Sequence, residues 1–241
     1  VRSEVSTDSV EVAAIESNIV RAPDAESADK MIAVIHAAQA DGDSVGGVVE
    51  VVVKGCPAGL GEPIYHKLDA DLAHALMTLG AIKGFEIGNG FGSVLIRGSE
   101  NNDPYYQDEH GNFRTTTNKA GGVVGGISNG EDIVVRIAVK PASSITKPVK
   151  TANRNGEMVD FKVEGRHDPC ICPRVVPVAE AMVALVLLDH IMLQDRITPA
   201  SDEDRIRQKL AVLDAEMELL TMQRKQYEEE LAALAAIPTE A

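Results

Sequence analysis

The sequence is poor in aromatic residues, in cysteine and in positive charge. Its 241 residues contain no tryptophan, four phenylalanines, four tyrosines, and 23 lysines and arginines against 37 aspartates and glutamates. The net charge of −14 argues against a nucleic-acid-binding protein, which needs a positive field to displace the counterions of the phosphate backbone. So few aromatic side chains also cannot form a platform on which bases stack.

Cysteine is too scarce for a disulfide framework. The three thiols, Cys56, Cys170 and Cys172, are odd in number and follow no framework spacing. We therefore expect reduced thiols in a cytoplasmic protein. The N-terminus has no signal-peptide pattern, and because it begins at Val1 rather than Met we expect further residues upstream.

Long apolar runs are missing as well. The longest one, residues 181–188, is stopped by Glu180 and Asp189, so we expect neither a membrane-spanning helix nor a membrane partner. With 44% apolar residues the chain can still bury a large core, which argues against a disordered protein. Its length suits one domain with an appendage, and we predict a domain over residues 1–200 and a helical appendage over residues 201–241.

Hydrophobic periodicity predicts a mixture of helices and strands. Asp24 and Gly42 supply start and stop signals for the first helix. The last helix is apolar nearly all round, which predicts deep burial. The predicted helices are residues 24–39, 67–82 and 175–194, and the predicted strands are residues 10–15, 46–54 and 157–163.

The segments between these elements are turn-rich. Residues 98–119 are polar and predict a long loop that is either functional or disordered, and residues 140–155 predict a second loop. The pair Asn129-Gly130 lies between two apolar runs. That pattern predicts a hairpin in which residues 121–128 pair with residues 133–139.

The end of the chain carries a heptad pattern. Apolar residues between 202 and 236 alternate in steps of four and three on a highly charged helix. Such a seam packs either on a partner helix or on the protein's own body. An amphipathic surface helix gives the same pattern.

Two glycine clusters, residues 88–92 and 121–126, are typical either of ordinary turns or of backbone that approaches a ligand closely. Neither matches a dinucleotide-binding fingerprint. The loop that begins at Lys140 has a cation, two hydroxyls and backbone N–H groups that suit an anion, although an ordinary solvated loop has the same composition. Its residues are Lys140, Pro141, Ala142, Ser143 and Ser144.

A guanidinium, an imidazole and a carboxylate follow one another at Arg166, His167 and Asp168. Arginine suits bidentate recognition of phosphate or carboxylate, and an aspartate of tuned pKa can place a proton. A surface ion-pair cluster is the alternative. His167 with Cys170 and Cys172 lacks the further ligand of a structural metal site, so we predict no metal.

Several long strings of the sequence resemble the chorismate synthase family. They are DGDSVGGVVEVVV (41–53), PAGLGEPIYHKLDADLAHALM (57–77), AIKGFEIGNGF (81–91), TNKAGGVVGGISNGEDIVVRIAVKPASSI (117–145) and GRHDPCICPRVVPVAEAMVALVLLDH (165–190). The resemblance covers about residues 1–195 and corresponds to the C-terminal three-fifths of the family. It implies an α+β fold, a β-α-β sandwich with antiparallel sheets around a helical layer, to which the heptad helix is added.

The resemblance also implies an activity. Chorismate synthase is a carbon–oxygen lyase that eliminates phosphate from 5-enolpyruvylshikimate 3-phosphate in a 1,4-trans sense to give chorismate, the last common step of the shikimate pathway. It needs reduced FMN, and NADPH would serve only to reduce the flavin. A cytoplasmic homotetramer is implied, with neither nucleic acid nor membrane as a partner.

Site residues are carried over by motif. The resemblance assigns Asp168 a catalytic position near flavin N5. Gly80, which replaces an asparagine of many members, would contact FMN together with Ala81 and Gly125. The loop from Lys140 to Ser144 and Arg166 complete the cofactor contacts.

The family's GESHG-like motif, its substrate-binding arginines and its two general-acid histidines have no counterparts in these 241 residues. We therefore expect this stretch alone to be inactive. The alternatives are a non-catalytic flavin-binding or oligomerisation module and, from the heptad helix, a coiled-coil interaction protein.

Overall fold

The computed structural model of the chain describes residues 12–109 and 111–197, with residues 3, 5 and 10 and scattered residues between 206 and 228. The chain divides into two compact units, Val1–Ile191 and Met192–Ala241. The first unit contains both helices and antiparallel sheets, so the predicted α+β class is confirmed. The appendage predicted for residues 201–241 falls within the second unit.

Five α-helices and nine strands lie in the described residues up to Ile197. The helices are α1 (Val12–Glu16), α2 (Ala25–Ala40), α3 (Leu68–Met77), α4 (Gly98–Asn101) and α5 (Cys172–Ile197). The strands are β1 (Gly47–Val53), β2 (Ile82–Ile87), β3 (Tyr105–Gln107), β4 (Phe113–Thr115), β5 (Val123–Val124), β6 (Ile127–Ser128), β7 (Ile133–Val139), β8 (Val149–Ala152) and β9 (Met158–Phe161).

β7 is the centre of the main sheet. The strand order is β1-β7-β2, and β7 is antiparallel to both neighbours. Alternate residues of β7 are buried to 4% exposure or less, as expected for a strand with one face on the core: Ile133, Val135, Ile137 and Val139. The remaining strands form two-stranded pairs, β3 with β4, β5 with β6 and β8 with β9.

Two helices supply the other side of this core. α3 buries Leu68, Leu72 and Leu76 completely, and these leucines recur every four residues because that spacing keeps them on one face. α5 buries Ala179 and Val183 with the same spacing. The helical residues and the inward residues of β1 and β7 belong to one hydrophobic cluster.

α5 is buried along one stripe only, so the expectation of burial all round was wrong for this chain. Val178, Leu185 and Leu188 are 48%, 62% and 53% exposed. By length and composition α5 could also cross a membrane, with a mean hydropathy of 1.9 over its best window, contrary to the argument from apolar runs. This is weak support for a membrane span, since core helices of soluble proteins pass the same test.

The turn of the hairpin in the glycine-rich region does not lie at Asn129-Gly130, where the sequence pattern predicted it. β5 and β6 are joined at Gly125 and Gly126, whose φ angles of +64° and +91° suit the tight turn that fits the strand twist. The Asn129 side chain instead accepts a hydrogen bond from the Glu131 amide at 3.1 Å. β7 then pairs with β1 and β2, because its alternating apolar residues are buried best at the centre of a sheet.

Other boundaries also differ from prediction. The stretch predicted as a strand at residues 10–15 contains helix α1, and the helix predicted for residues 67–82 ends at Met77, before strand β2. The loop predicted for residues 140–155 contains β8. The helix over 24–39 and the strands over 46–54 and 157–163 are confirmed as α2, β1 and β9.

The polar stretch 98–119 is ordered around one carboxylate. Asp103 accepts hydrogen bonds from Thr117 Oγ1 at 2.6 Å and from the amides of Lys119 and Ala120 at 2.9 and 2.8 Å. Burial alone would raise the pKa of Asp103, but these hydrogen bonds outweigh it and lower the pKa. The segment therefore contains α4 and the β3–β4 pair rather than a structureless loop.

The described residues between 206 and 228 are helical, as the heptad pattern predicts. Their seam residues are all more than half exposed: Ile206, Leu210, Leu213, Met217 and Leu220. The last part of the predicted helix, residues 229–236, lies outside the described residues. Packing of the seam on a partner helix stays a prediction.

Truncation of Leu72 tests the packing of α3. Because Leu72 is completely buried, we expect Leu72→Ala to lower the free energy of unfolding by about 2–5 kcal/mol. Met77→Ala is the matched control on the same helix, since Met77 is 45% exposed and should cost under about 1 kcal/mol. Urea unfolding followed by circular dichroism measures both. Equal costs would contradict this packing.

Candidate functional site

Two predicted site segments meet where β7 ends. Lys140 directly follows β7, and its amide donates to the Ala81 carbonyl at 2.9 Å. Ala81 precedes β2, and its neighbour Ile82 pairs with Val139. The turn of Gly80 and Ala81 therefore lies beside Lys140. Gly80 is exposed, and a Cβ added to it would meet nothing within 4 Å.

The loop of residues 41–46, between α2 and β1, joins two further segments. Ser44 Oγ donates to the Ala142 carbonyl at 2.7 Å, and the Val45 amide donates to the Pro169 carbonyl at 2.8 Å. One loop thus touches both the Lys140–Ser144 loop and the segment that contains Arg166 and Asp168. The antiparallel register explains the contact with the Lys140–Ser144 loop, because the beginning of β1 pairs with the end of β7.

Lys147 anchors the Lys140–Ser144 loop to the loop of residues 41–46. Its Nζ donates to Asp41 and, at 2.9 Å, to Asp43 Oδ2. The hydrogen bonds raise the pKa of Lys147 and lower the pKa of Asp43. Lys147 was not among the predicted site residues, although it stands only four residues after Ser143. Its charge is already used to hold the loop.

The Lys140–Ser144 loop and Arg166 present donors without acidic partners. Lys140 Nζ donates to Ser143 Oγ at 2.5 Å, and Ser144 is exposed. The exposed Arg166 forms no ion pair with any described residue. Residues 140–174 hold seven basic and four acidic residues in a chain whose net charge is −14. This local excess of cations suits an anionic ligand.

Asp168 pairs with an arginine that the sequence analysis did not single out. Arg174 Nη1, from the first turn of α5, lies 2.8 Å from Asp168 Oδ2. Arg166, which adjoins Asp168 in sequence, does not form this pair. The Asp168 side chain is 29% exposed, so one carboxylate oxygen is held by Arg174 while the group remains accessible.

His167 contributes an unpartnered atom between these residues. Its Nε2 is buried and makes no hydrogen bond with the described residues. Among residues 12–109 and 111–197, no three His, Cys, Asp or Glu side chains form a group that could hold a metal ion. The atom is therefore available to a polar ligand or to water.

Gly125 lies apart from the other predicted cofactor contacts within this chain. Its hairpin adjoins the beginning of α3, where the Leu68 amide donates to the Gly126 carbonyl at 2.8 Å. The hairpin comes before β7 and Lys140 comes after it, and β7 spans roughly 20 Å at the usual rise per residue. The structure thus places Gly80, Ala81, the Lys140–Ser144 loop and the Asp168–Pro169 segment around one end of β7, and Gly125 near the other.

A second polar cluster went unnoticed in the sequence. His190 of α5 is 3% exposed, and its Nε2 lies 3.0 Å from Asp71 Oδ2 of α3. The exposed His66 approaches the same oxygen at 3.4 Å. Since Asp71 and His190 are more than a hundred residues apart, no sequence pattern could have paired them. The contact joins the two helices that cover the sheet.

Comparisons with known proteins show what this chain is similar to. The family model for chorismate synthase matches residues 2–192. The chain is similar to the chorismate synthase of Trichormus variabilis, with 54% identity over 188 residues that cover 78% of this chain and 52% of the relative. It is 55% identical over 190 residues to the chloroplastic chorismate synthase of Capnoides sempervirens, covering 79% and 42% of the two chains.

A solved structure agrees with these sequence matches. A crystal structure of chorismate synthase matches with a TM-score of 0.61 and 31% identity, over 76% of this chain and 47% of that chain. The chain therefore spans about half the length of the curated relatives that it matches. Since the family model covers far more than half of the 241 residues, the chain belongs to the chorismate synthase family.

Proposed function

We propose that this chain forms part of a chorismate synthase, which eliminates phosphate from 5-enolpyruvylshikimate 3-phosphate with the help of reduced FMN. The family match over residues 2–192 carries the proposal. The cation-rich loops on either side of residues 41–46 support it, because cofactor and substrate are both phosphorylated anions. Nothing in the comparisons favours the alternative of a non-catalytic flavin-binding module.

The residues present suit a flavin phosphate. Lys140 and Ser143 already point their polar groups at one another, and Ser144 and Arg166 have donors without partners among the described residues. Such a set gives a phosphate charge-assisted hydrogen bonds that no nearby carboxylate competes for. Pro141 and Ala142 contribute backbone, and the Ala142 carbonyl is anchored by Ser44. Gly80 leaves open space beside Lys140 for a flat ring.

When bound, reduced FMN supplies an electron-rich ring that can lend charge while the bond to phosphate breaks. The role of Asp168 in this chemistry is to hold or move a proton at flavin N5. Arg174 fixes one of its oxygens at 2.8 Å and leaves the other without a hydrogen bond to the described residues. An aspartate held in this way is both oriented and accessible, which a general base requires.

To include Gly125, the proposed cofactor site requires an assembly of subunits. Within one chain it lies near the opposite end of β7 from Lys140, so a shared cofactor site requires Gly125 from a neighbouring subunit. The exposed apolar residues of α5, among them Leu185 and Leu188, are consistent with burial in an assembly. We accordingly propose the homotetramer that the family resemblance implies, in the cytoplasm and without nucleic-acid or membrane partners.

We predict that the 241-residue chain alone does not convert substrate. A chimera tests this prediction, in which the part of the Trichormus variabilis relative that precedes the matched residues is fused in front of residue 2. With reduced FMN, the chimera should release phosphate from 5-enolpyruvylshikimate 3-phosphate and the isolated chain should not. Full turnover by the isolated chain would refute the prediction.

Asp168→Asn should lower kcat of this chimera by roughly 10²-fold and leave FMN affinity almost unchanged, because the substitution removes proton transfer but keeps the shape. Asp160→Asn on β9 is the matched control with the same change of charge. Stopped-flow phosphate release and FMN fluorescence measure the two effects. A loss of FMN affinity in step with kcat would show that Asp168 binds the cofactor instead.

Lys140→Ala should weaken FMN binding by about tenfold at low salt, since an ion pair with phosphate is lost. The difference from the unchanged protein should shrink as salt screens that ion pair. Lys54→Ala provides the control, because the exposed Lys54 follows β1 at the opposite end of the sheet. Isothermal titration at two salt concentrations measures the affinities. A difference that does not respond to salt would rule out a phosphate contact.

A further inference from the structure

A helix with an exposed apolar seam lies outside the family match. The family model ends at residue 192, whereas the described residues between 206 and 228 are helical. An apolar row of this length on the surface of a helix marks an interaction site. The proposed function leaves this helix without a role. The described apolar members of the seam are 53–65% exposed: Ile206, Leu210, Leu213, Met217 and Leu220.

The spacing of the seam is that of a helix which pairs with another helix. Its residues follow one another in steps of four and three, so the repeat is 3.5 residues and the seams of two such helices stay in contact along their length. α3, which packs in the core of the first unit, instead repeats its buried leucines every four residues. In the sequence the seam runs from residue 206 to residue 234, which is long enough for a coiled coil.

A second copy of this chain brings a helix with the same repeat and with complementary charge. Residues 205–209 contain three basic and no acidic residues, whereas residues 228–230 are three glutamates. When two such helices run in opposite directions, the basic end of each lies beside the acidic end of the other. Arg207 then lies next to Glu228 of the second copy, at the edge of the seam. Because the copies are identical, the same contact forms twice.

Arg224 favours the antiparallel direction as well. It is the only charged residue of the seam. In a parallel pair the two Arg224 side chains would occupy the same layer, where like charges repel each other. In an antiparallel pair Arg224 lies opposite Leu213 of the second copy. Its guanidinium can stay at the edge of the seam, where Glu228 of the same chain binds it at 2.9 Å.

The charges also select one antiparallel register. When Met217 lies opposite Leu220 of the second copy, the acidic residues at positions 214 and 216 face uncharged residues. A shift by one heptad in either direction would set both positions against acidic residues of the second copy. Such like-charge contacts destabilise a helix pair, so the register without them is favoured.

We propose that residues 206–228 form an antiparallel two-stranded coiled coil with the same residues of a second copy of this chain. Met217 of each copy packs against Leu220 of the other, and each Arg207 meets a Glu228. The pair buries the seam residues that are exposed in the single chain. It depends on the heptad helix and not on the proposed function, so either can fail without the other.

Hydrogen–deuterium exchange of the full 241-residue chain, read on peptides from residues 206–228, tests the pairing. Amide protection in these peptides should rise with chain concentration, because association between copies follows mass action. Leu213→Asp places a carboxylate in the buried seam and should lower the protection by about tenfold or more. Ala211→Asp is the matched control, since the exposed Ala211 lies off the seam, and should change the protection by about twofold at most.

Three results of the exchange experiment would overturn the proposal. Protection that does not change with concentration would show that the seam packs on the protein's own body. Low protection at every concentration would leave the seam to a different protein. Equal protection in Leu213→Asp and Ala211→Asp would show that the seam is not the buried face.

Disulfide cross-linking tests the direction of the pair, in chains whose three native cysteines are replaced by alanine. A Leu213→Cys copy mixed with an Arg224→Cys copy should form a disulfide between copies on mild oxidation. Neither variant alone should do so, because like positions lie about 16 Å apart along the antiparallel pair. Ala211→Cys mixed with Lys225→Cys is the control off the seam and should stay unlinked.

A disulfide in the Leu213→Cys sample alone would show a parallel pair and overturn the proposed direction. The absence of any disulfide between copies, in chains that circular dichroism shows to be folded, would overturn the pairing itself. The exchange experiment keeps the native cysteines, so it decides the pairing even where the cysteine-free chain does not fold.

Discussion

The burial of β7 fixes the main sheet and the hydrophobic core of the first unit. Its alternate side chains are packed between two neighbouring strands and two helices, so the strand has no open edge and cannot shift its register by one residue without exposing Ile133, Val135 and Ile137. Because this strand is held so firmly, the loop that leaves it at Lys140 starts from a defined point. The ends of β1 and β2 that pair there bring two further loops to the same place.

Residues 140–174 differ in charge from the chain as a whole. The chain is strongly acidic, yet residues 140–174 carry more basic than acidic side chains. Some of these cations are used internally, as Lys147 is against Asp43 and Arg174 is against Asp168. Others, Lys140 and Arg166, face no carboxylate among the described residues. Lys147 and Arg174 therefore stabilise the loops, whereas Lys140 and Arg166 can bind an anion.

Some apolar side chains of the chain lie on its surface rather than in its core. α5 buries one stripe and exposes Leu185 and Leu188, and the described seam residues after it are exposed as well. The separation of Gly125 from Lys140 within one chain is the reason that the proposed cofactor site draws on a neighbouring subunit.

The local pattern of the sequence predicted α2, β1, β9 and the helix at α5, because propensity, capping by Asp24 and hydrophobic periodicity act over a few residues. It also identified the Lys140 loop and the Arg166–Asp168 segment as candidates, since their side chains carry the chemistry whatever surrounds them. The sequence did not predict which residues these side chains would contact. Asp168 meets Arg174 rather than Arg166, and Asn129 makes a local turn while Gly125 and Gly126 form the hairpin. Long-range packing decided the meeting of Asp71 with His190 and the burial of only one stripe of α5. Local sequence patterns reflect interactions between residues that are close along the chain. The Asp71–His190 contact and the exposed side of α5 depend instead on how distant segments pack around the core.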